Sequence, residues 1–297
     1  MDSASKEKSL LSMRLRSRLM RALALVSMSF VQLGWRSALS VFHFYIVSFF
    51  RSDPTIARAI YVSTLGQRIL LRSADMGTFF EVFLRRQYDM SQLPDYFAGL
   101  FRDFQDMNGT IILDCGANIG LSALWFAHMA PLTTIYAFEP APENLDLLRQ
   151  NVRPCPNIHV IDGAVWHEDT TLRLRYDAAN PAGSNIDASG AVATRAFSIH
   201  QFLAGRPNHS YLVKIDIEGA EDGLFSCNAQ WVRNASILVI ELHDWLYPGE
   251  SRSRNLLRCI ADSDFDVLLS NNNLFCFNKR GVVIPADSEM RTESFAR

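Results

Sequence analysis

The fold prediction rests on Ile111-Ile-Leu-Asp-Cys-Gly-Ala-Asn-Ile-Gly120. A short apolar run ends in an acid, and glycines follow, which is typical of a buried strand that turns directly into a helix. From Leu121 to Met129, apolar residues recur at helical spacing and predict a helix with one buried face. Because ligands bind beyond the carboxyl ends of strands in an open α/β sheet, the turn after Asp114 is a candidate ligand site.

The acid and the glycines of this turn predict which ligand it binds. Gly116 and Gly120 would let the backbone approach a ligand with no Cβ in the way. A dinucleotide pyrophosphate is bound by a GxGxxG turn, whereas this turn is GxxxG with Asp114 directly before it. A carboxylate there repels pyrophosphate but suits an ammonium or sulfonium group. The spacing therefore favours S-adenosylmethionine over NAD, and a tight turn that binds no ligand is the alternative.

Acids also follow the next two predicted strands. Glu139 follows the strand from Thr134 to Phe138, where a carboxylate can accept two hydrogen bonds from a ribose diol. Asp162 and Ala164 follow the third strand and could lie along the adenine edge, although Asp162 suits an ordinary turn equally well. The candidate cofactor-binding residues are therefore Asp114, Gly116, Asn118, Gly120, Glu139, Asp162 and Ala164.

The stretch Lys214-Ile-Asp-Ile-Glu-Gly-Ala-Glu221 places three acids within six residues at the end of another predicted strand. Buried carboxylates are costly unless they are paired, protonated or bound to a cation, so we expect them to line a cleft, with Lys214 neutralising one. Asp216 is the leading candidate for a catalytic base or an orienting acid. Asp216, Glu218 and Glu221 could instead bind a divalent cation, and the sequence does not decide between these roles.

A second polar cluster follows the strand predicted from Ile237 to Leu242. It contains Glu241, His243 and Asp244. Because the carboxyl ends of parallel strands meet at one edge of a sheet, we expect this cluster to face the acids after Lys214. His243 is the second catalytic candidate, and a hydrogen-bonded histidine at a strand end is the alternative.

After Gly109, short runs that are apolar on both faces alternate with helical segments. This alternation is typical of an α/β fold whose mostly parallel sheet is covered by helices on both sides. Two later runs, Phe265 to Leu269 and Leu274 to Phe277, predict a hairpin that closes the sheet. The stretch from Asp177 to Gly190 is rich in small polar residues and predicts a surface loop, which at this length could be a lid or a binding loop.

Residues 1–58 predict a helical extension. Four arginines lie between positions 14 and 21, and Arg36 is the only charged residue from Ala22 to Phe50. Gln32 and Arg36 divide the apolar run into pieces too short to span a bilayer. Packed helices, or helices lying on an anionic membrane surface through residues 10–50, are therefore favoured over a membrane anchor or a cleaved signal.

Three further segments complete the predicted organisation. Residues 59–108 are a lead-in with a strand from Arg68 to Arg72 and a helix from Thr78 to Tyr88 that places Phe79, Val82, Phe83 and Arg86 on one face. Residues 109–280 are the catalytic domain, and residues 281–297 are a C-terminal tail. The sequence Arg51-Ser-Asp-Pro54 is expected to end the N-terminal helices.

The composition excludes several classes of protein. The 297 residues are 48% apolar and 20% charged, which is ordinary for a globular protein and excludes general disorder. The net charge of −2 lacks the basic balance of a nucleic-acid binder, so no nucleic-acid partner is expected. Five cysteines without a CxxC pair predict neither a zinc site nor a disulfide framework, and indicate reduced thiols in a cytoplasmic protein.

Four motifs together resemble the FkbM family of S-adenosylmethionine-dependent methyltransferases. They are Asp114-Cys-Gly-Ala-Asn-Ile-Gly120, Phe138-Glu-Pro140, Lys214-Ile-Asp-Ile-Glu-Gly-Ala-Glu221 and Ile240-Glu-Leu-His243. The resemblance extends from about Arg68 to Lys279 and includes Leu71-Arg-Ser-Ala-Asp75 and Arg86-Gln-Tyr-Asp89 of the lead-in. It implies a class I methyltransferase fold, which is Rossmann-like, with seven strands of which the seventh is antiparallel.

The resemblance also implies a reaction, namely transfer of a methyl group to a hydroxyl oxygen, commonly of a sugar or a polyketide. The partner would then be a small-molecule or glycan acceptor, met in the cytoplasm or at the inner face of the membrane. Two other functions are left open by the residues: an NAD(P)-dependent oxidoreductase on the same fold, and a membrane-associated binding module without catalysis.

Overall fold

The computed structural model describes residues 22–50, 55–175, 185–186, 189–206 and 210–278, together with Met20 and Asp53. The helices are α1 (22–33), α2 (Trp35–Phe50), α3 (Met76–Phe79), α4 (Asp95–Asp106), α5 (Leu121–Met129), α6 (Pro142–Val152), α7 (Ile199–Ala204), α8 (Glu221–Leu224) and α9 (Arg254–Ala261). The strands are β1 (Arg58–Val62), β2 (Gln67–Leu71), β3 (Ile111–Cys115), β4 (Thr134–Glu139), β5 (Ile158–Asp162), β6 (Ala164–Trp166), β7 (Thr170–Arg175), β8 (Asn185–Ile186), β9 (Val192–Ser198), β10 (Tyr211–Ile215), β11 (Ile237–Glu241), β12 (Phe265–Ser270) and β13 (Asn273–Asn278).

The central sheet has seven strands in the order β12-β13-β11-β10-β3-β4-β5. The strands from β11 to β5 run parallel, and β13 is antiparallel to both β11 and β12. The mostly parallel sheet, its closing hairpin and its antiparallel strand are therefore confirmed. From β3 the chain builds outward through β4 and β5, and later through β10 and β11 on the other side. The strand order thus reverses between β3 and β10, where α/β sheets bind ligands.

The two central strands are buried on both faces. Ile112 and Leu212 pack in one core with α5 and α6, whereas Leu113 and Val213 pack in the other core with α7 and α9. Successive side chains of a strand point to opposite faces, so each strand needs apolar residues on both faces, and only Asp114 and Lys214 depart from this pattern. This requirement explains the continuous apolar runs in the sequence.

Helix α5 differs from its prediction of one buried face. Its residues from Leu121 to Phe126 are all buried, while Met129 is only partly buried. The lead-in covers the remaining side, because the ring of Phe83 lies 6.0 Å from that of Trp125 and the Arg86 guanidinium lies 5.7 Å from the same ring. The prediction was wrong because the covering segment is remote in sequence.

The lead-in contains the predicted strand, as β2, but not the whole predicted helix from Thr78 to Tyr88. Helix α3 ends at Phe79, and a π-helical turn follows over Phe80–Leu84. Arg86 has a φ of 53°, which ends helical geometry, and its exposed guanidinium pairs with Asp89 at 3.1 Å. The predicted apolar face is buried, but the placement of Arg86 on it was wrong.

Two helices form the described part of the N-terminal segment, and Gly34 separates them with a φ of +80°. Helix α2 packs on β1, where Ser40 Oγ accepts a hydrogen bond of 2.8 Å from the amide of Tyr61. No helix among the described residues is long and apolar enough to cross a membrane. The four arginines before Ala22, most of the predicted break at 51–54 and the predicted tail lie outside the described residues.

A second sheet, in the order β6-β9-β7-β8, was missed in the sequence analysis. Part of the predicted loop from Asp177 to Gly190 belongs to it, because Ile186 of β8 pairs with Leu174 of β7. The loop prediction was wrong for β8, and residues 176–184 and 187–188 lie outside the described residues. The available signal was the alternation in Thr170-Thr-Leu-Arg-Leu-Arg175, whose Leu174 is buried between exposed arginines.

Candidate active site

A cleft opens at the carboxyl ends of β3, β4 and β10, where the strand order reverses. It is open to solvent. The second sheet supplies an apolar wall, and the turns after the three strands supply polar groups. The lining residues are Gly116, Asn118, Phe138, Glu139, Pro140, Asn144, Ala164, Val165, Leu174, Ile186, Asp216, Ile217 and Glu218.

Gly116 forms the floor of the cleft at the end of β3. Its amide donates a hydrogen bond of 3.1 Å to the carbonyl of Phe138, and its φ is +81°. A Cβ at this position would overlap the backbone carbonyl oxygen of Asp216. Only glycine therefore lets the turns after β3 and β10 approach each other closely enough to form one site.

Gly116→Ala is expected to lower the free energy of unfolding by at least about 2 kcal/mol, because the clash is with backbone and the left-handed φ adds strain. Denaturant unfolding measures this change. Gly99→Ala is the matched control, since a Cβ at this α4 position meets only the far end of Arg102 at 3.6 Å. A Gly116→Ala protein as stable as Gly99→Ala would contradict the close approach.

Gly120 does not line the cleft, in contrast to its predicted role at the cofactor. It precedes α5 with a φ of +90°, and a Cβ there would lie 2.6 Å from Leu148 Cδ1 of α6. Its backbone packs the turn against α6, so it shapes the site without forming the cleft surface.

Glu139 is buried at the end of β4 and is held by backbone donors. Its Oε2 accepts a 2.8 Å hydrogen bond from the amide of Asn118, and its Oε1 accepts a 2.9 Å hydrogen bond from the amide of Ala141. Burial raises the pKa of Glu139 to about 6, although these hydrogen bonds act to lower it. The carboxylate is therefore ionised at pH 7.5, fixed in place and presented to the cleft as an acceptor.

Asn118 presents a second acceptor to the same side of the cleft. Its side-chain Oδ1 is buried and has no hydrogen-bond partner among the described residues. A buried acceptor without a partner is costly, so a ligand that donates a hydrogen bond fits here. Asn118 is one of the predicted cofactor-binding residues, and Oδ1 is its atom that is left without a protein partner.

Asp114 lies beneath the cleft and does not line it. Its Oδ1 is 3.1 Å from the Nζ of Lys214, and its Oδ2 accepts a 2.6 Å hydrogen bond from Ser122 Oγ. Burial acts to lower the pKa of Lys214, but the charge of Asp114 outweighs it and holds that pKa well above its usual value. A charged Lys214 thus neutralises Asp114, which supports the cleft floor through the 2.8 Å bond from Lys214 to the Gly116 carbonyl.

The two residues predicted along the adenine edge lie in different places. Ala164 lines the cleft, together with the apolar residues of the second sheet. Asp162 is on the surface, where its side chain is 64% exposed and pairs with Arg149 at 3.1 Å. The turn-forming alternative therefore suits Asp162 better than a contact in the cleft.

The lead-in contributes a polar network that the sequence analysis did not assign to the site. Arg72 binds the carboxylate of Asp75 through Nε and one terminal nitrogen, each at 2.9 Å. The same terminal nitrogen donates at 2.6 Å to Oδ1 of Asn144, whose Nδ2 lies 3.3 Å from Glu139. Arg72 is thereby a positioning residue for the Glu139 side of the cleft, and only the motif Leu71-Arg-Ser-Ala-Asp75 signalled it.

The two catalytic candidates lie side by side after β10 and β11, on the other side of β3 from Glu139. Asp216 lines the cleft, whereas His243 lies behind it and is 3% exposed. The Nε2 of His243 is 3.6 Å from Asp216, and its Nδ1 is 2.8 Å from Glu221. Burial lowers the pKa of His243, but the bond to Glu221 and the nearby carboxylates outweigh it and raise the pKa to about 9. A cationic His243 cannot accept a proton, so Asp216 is the better base.

The acids around this pair are grouped differently from the prediction. Three potential ligand atoms lie within 4.8 Å of one another, one each from Asp216, Glu241 and His243. Glu218 lines the cleft, but Glu221 is almost fully buried and holds His243 instead. Burial raises the pKa of both Glu218 and Glu241 to about 7. The predicted set of Asp216, Glu218 and Glu221 is thus replaced by Asp216, Glu241 and His243 as the group whose donor atoms come together.

A family model described as the methyltransferase FkbM domain matches residues 114–270, more than half of the chain. The chain belongs to the FkbM methyltransferase family. This confirms the resemblance carried by the motifs and, with the strand order, the class I methyltransferase fold. S-adenosylmethionine is the cofactor of this family, which confirms the cofactor expectation and favours it over NAD.

Several named proteins are similar to this FkbM-family chain. Methyltransferase 1 of Beauveria bassiana is 27% identical over 171 residues, which cover 48% of this chain and 62% of that protein. Hexuronic acid methyltransferase AglP of Haloferax volcanii is 25% identical over 158 residues, which cover 47% of this chain and 59% of that protein. The 2-O-methyltransferase NoeI of Sinorhizobium fredii is 24% identical, covering 55% and 80%.

Among solved structures, precorrin-6y C5,15-methyltransferase of Geobacter metallireducens matches 61% of this chain and 86% of that chain, with 11% identity and a TM-score of 0.36. The chain spans about three fifths of the length of Methyltransferase 1, the first of the relatives described above.

The cleft of this FkbM-family chain fits S-adenosylmethionine. Asn118 Oδ1 offers a buried acceptor without a partner, and Glu139 offers an ionised one. The apolar wall around Val165 and Ile186 suits a flat, apolar ring. The five cysteines are free thiols in the structure.

Proposed function

We propose that this protein transfers the methyl group of S-adenosylmethionine to a hydroxyl oxygen of a saccharide or a similar small polar acceptor. The observation that carries the proposal is the arrangement of the cleft, which is lined by ionised Glu139 after β4 and by Asp216 after β10, on opposite sides of β3. The names of two relatives, a hexuronic acid methyltransferase and a 2-O-methyltransferase, support oxygen and sugar chemistry.

The Glu139 side binds the cofactor in this proposal. Glu139 accepts hydrogen bonds from the ribose hydroxyls, and Asn118 Oδ1 accepts one further hydrogen bond. The apolar wall from the second sheet receives the adenine ring. When bound, S-adenosylmethionine supplies an activated methyl group, so the residues of the protein mainly position the acceptor and remove its proton.

The Asp216 side holds the acceptor. The Asp216 carboxylate faces the cleft and lies 3.5 Å from the Nζ of Lys214, which fixes it from below. It accepts a hydrogen bond from the acceptor hydroxyl, orients its oxygen toward the methyl group and takes its proton as attack proceeds. His243 does not reach the cleft and acts as a positioning residue that holds Asp216 from behind.

The proposal is tested by incubating the purified protein with S-adenosylmethionine labelled in its methyl group and a glycan extract of the source cells. We expect label in hydrolysed sugars, with mass spectrometry showing the added mass of one CH₂ group on an oxygen. Label on nitrogen or in a polypeptide would contradict the proposal. Binding of S-adenosylhomocysteine without any transfer would favour the non-catalytic alternative.

We further propose that α2 binds the surface of an anionic membrane. Its buried face carries Val41 and Phe44, whereas Trp35, Leu39, Phe42 and Ile46 form an exposed apolar stripe at helical spacing. The positive charges that suit an anionic bilayer are close in sequence: Arg14, Arg16, Arg18, Arg21 and Arg36. Each arginine near such a surface contributes roughly 1 kcal/mol of attraction.

Vesicle flotation tests this membrane proposal. We expect binding to vesicles with phosphatidylserine, weaker binding at high salt, and a loss of about tenfold or more when Leu39 and Phe42 are both replaced by glutamate. Leu132→Glu is the matched control, because Leu132 is 91% exposed in a loop remote from α2 in sequence. Equal binding to neutral vesicles, or self-association through α2 in place of vesicle binding, would contradict it.

A further inference from the structure

Three potential metal ligands converge beside the cleft, at the ends of β10 and β11. Asp216 follows β10, Glu241 ends β11, and His243 comes two residues later. One atom of each lies within 4.8 Å of the others. Two carboxylates and an imidazole are a donor set that binds divalent cations in proteins.

His243 is held in the orientation that a metal ligand needs. Its Nδ1 is 2.8 Å from Glu221 Oε1, and the Glu221 side chain is 1% exposed. The other nitrogen, Nε2, is therefore aimed at the acids, yet it makes no hydrogen bond there: Asp216 Oδ1 is 3.6 Å away and Glu218 Oε2 is 3.8 Å away. A histidine fixed through one nitrogen by a carboxylate, with the other nitrogen aimed at acids, is the usual arrangement of a metal-binding histidine. A bound cation would replace the proton on Nε2.

Several carboxylates that repel one another surround this histidine. Glu81 of the lead-in faces Asp216 and Glu241, and Glu218 faces Asp216 from the cleft. Lys214 cannot compensate all of them, because it already pairs with the fully buried Asp114 at 3.1 Å. Partly buried carboxylates that repel one another indicate a place for a further positive charge.

The separations suit a small cation with modest adjustment. Ligand atoms on a cation with bonds of about 2.1 Å lie at most about 4.2 Å apart. Neighbouring ligands of such an octahedral ion lie only about 3.0 Å apart. Donor atoms that lie within 4.8 Å of one another therefore need to close by at most about 2 Å, which rotations of the side chains share. Carboxylates and the water admitted by the open cleft favour Mg²⁺ or Mn²⁺ over softer metals.

We propose that Asp216, Glu241 and Nε2 of His243 bind a divalent cation of the Mg²⁺ or Mn²⁺ class, with Glu221 as the residue that orients His243. The site adjoins the cleft through Asp216, so a bound cation would have open positions toward the acceptor. Its role there, holding the acceptor hydroxyl and favouring its deprotonation, rests on the proposed function. The existence of the metal site is independent of the proposed function.

Mn²⁺ binding to the full-length protein, followed by electron paramagnetic resonance, tests the site. We expect one bound Mn²⁺ that Mg²⁺ displaces, and binding at least about tenfold weaker in both Glu241→Gln and Glu221→Gln. Glu168→Gln is the matched control, because Glu168 is 60% exposed beside His167 and outside the cluster. Circular dichroism establishes that the variants are folded.

Wild-type protein without bound Mn²⁺ at millimolar concentration would overturn the site and leave His243 as a buried imidazolium. Equal Mn²⁺ affinity in Glu241→Gln and Glu168→Gln would also overturn it. Calorimetry with S-adenosylhomocysteine in the presence of a chelator separates the two proposals. If the protein binds Mn²⁺ but not S-adenosylhomocysteine, only the proposed function is contradicted. If it binds S-adenosylhomocysteine but not Mn²⁺, only the metal site is contradicted.

Discussion

Replacing Asp216 by asparagine is expected to lower methyl transfer by about 10²- to 10⁴-fold, the range over which a positioned base contributes. Asp216 is the catalytic candidate that lines the cleft, and Lys214 and His243 hold its carboxylate at 3.5 and 3.6 Å. Asparagine keeps the shape of the side chain but cannot accept the proton. Residual activity is expected, because orientation of the two reactants contributes more to the rate than the base does.

The measurement is transfer of labelled methyl to the glycan extract, compared with the affinity for S-adenosylhomocysteine. The affinity is expected to stay within about threefold of wild type, because Asp216 is on the acceptor side of the cleft. Asp103→Asn, on the exposed face of α4, is the matched control. Wild-type turnover in Asp216→Asn would remove Asp216 from the mechanism.

Glu139→Gln is expected to weaken binding of S-adenosylhomocysteine by about 10- to 100-fold, since a hydrogen bond to a charged group contributes about 1.5–3 kcal/mol. The charge is lost, and one of the backbone amides of Asn118 and Ala141 loses its acceptor. Isothermal calorimetry measures the affinity. Glu143→Gln, exposed on the same helix as Asn144, is the control, and unchanged affinity in Glu139→Gln would exclude a ribose contact.

The pH dependence of the same binding distinguishes a ligand contact from a structural role. The pKa of Glu139 is raised to about 6 by burial, so the carboxylate is ionised above that pH and protonated below it. The affinity of the wild-type protein is therefore expected to fall as the pH is lowered through about 6. Glu139→Gln has no proton to gain and is expected to lose this dependence.

Much of the fold was predictable from local patterns. Ile111 to Cys115 and Tyr211 to Ile215 are buried at every position and apolar except for Asp114 and Lys214, because both faces of the central strands are covered. The polar residues between the two C-terminal runs indicated the turn of the hairpin. The complete burial of Leu121 to Phe126 in α5 was not predictable, since it depends on Phe83 in a remote segment. The strand β8 has two residues, which is too short for any periodicity.

The site was predictable only in part, for a similar reason. The rule that ligands bind at strand ends located Gly116, Glu139 and Asp216 correctly in the cleft. It could not show that Lys214, a hundred positions along the chain, takes up the charge of Asp114. Nor could spacing show that Glu221 turns inward to His243, because the two residues are 22 positions apart in the chain.

The most direct measurement is a crystal structure of the protein with S-adenosylhomocysteine. We expect both ribose hydroxyls within hydrogen-bond distance of the Glu139 carboxylate, roughly 2.6–3.0 Å, and the sulfur atom directed toward Asp216. A nucleoside bound away from Glu139, or one whose sulfur points away from Asp216, would contradict the assignment of the two sides of the cleft.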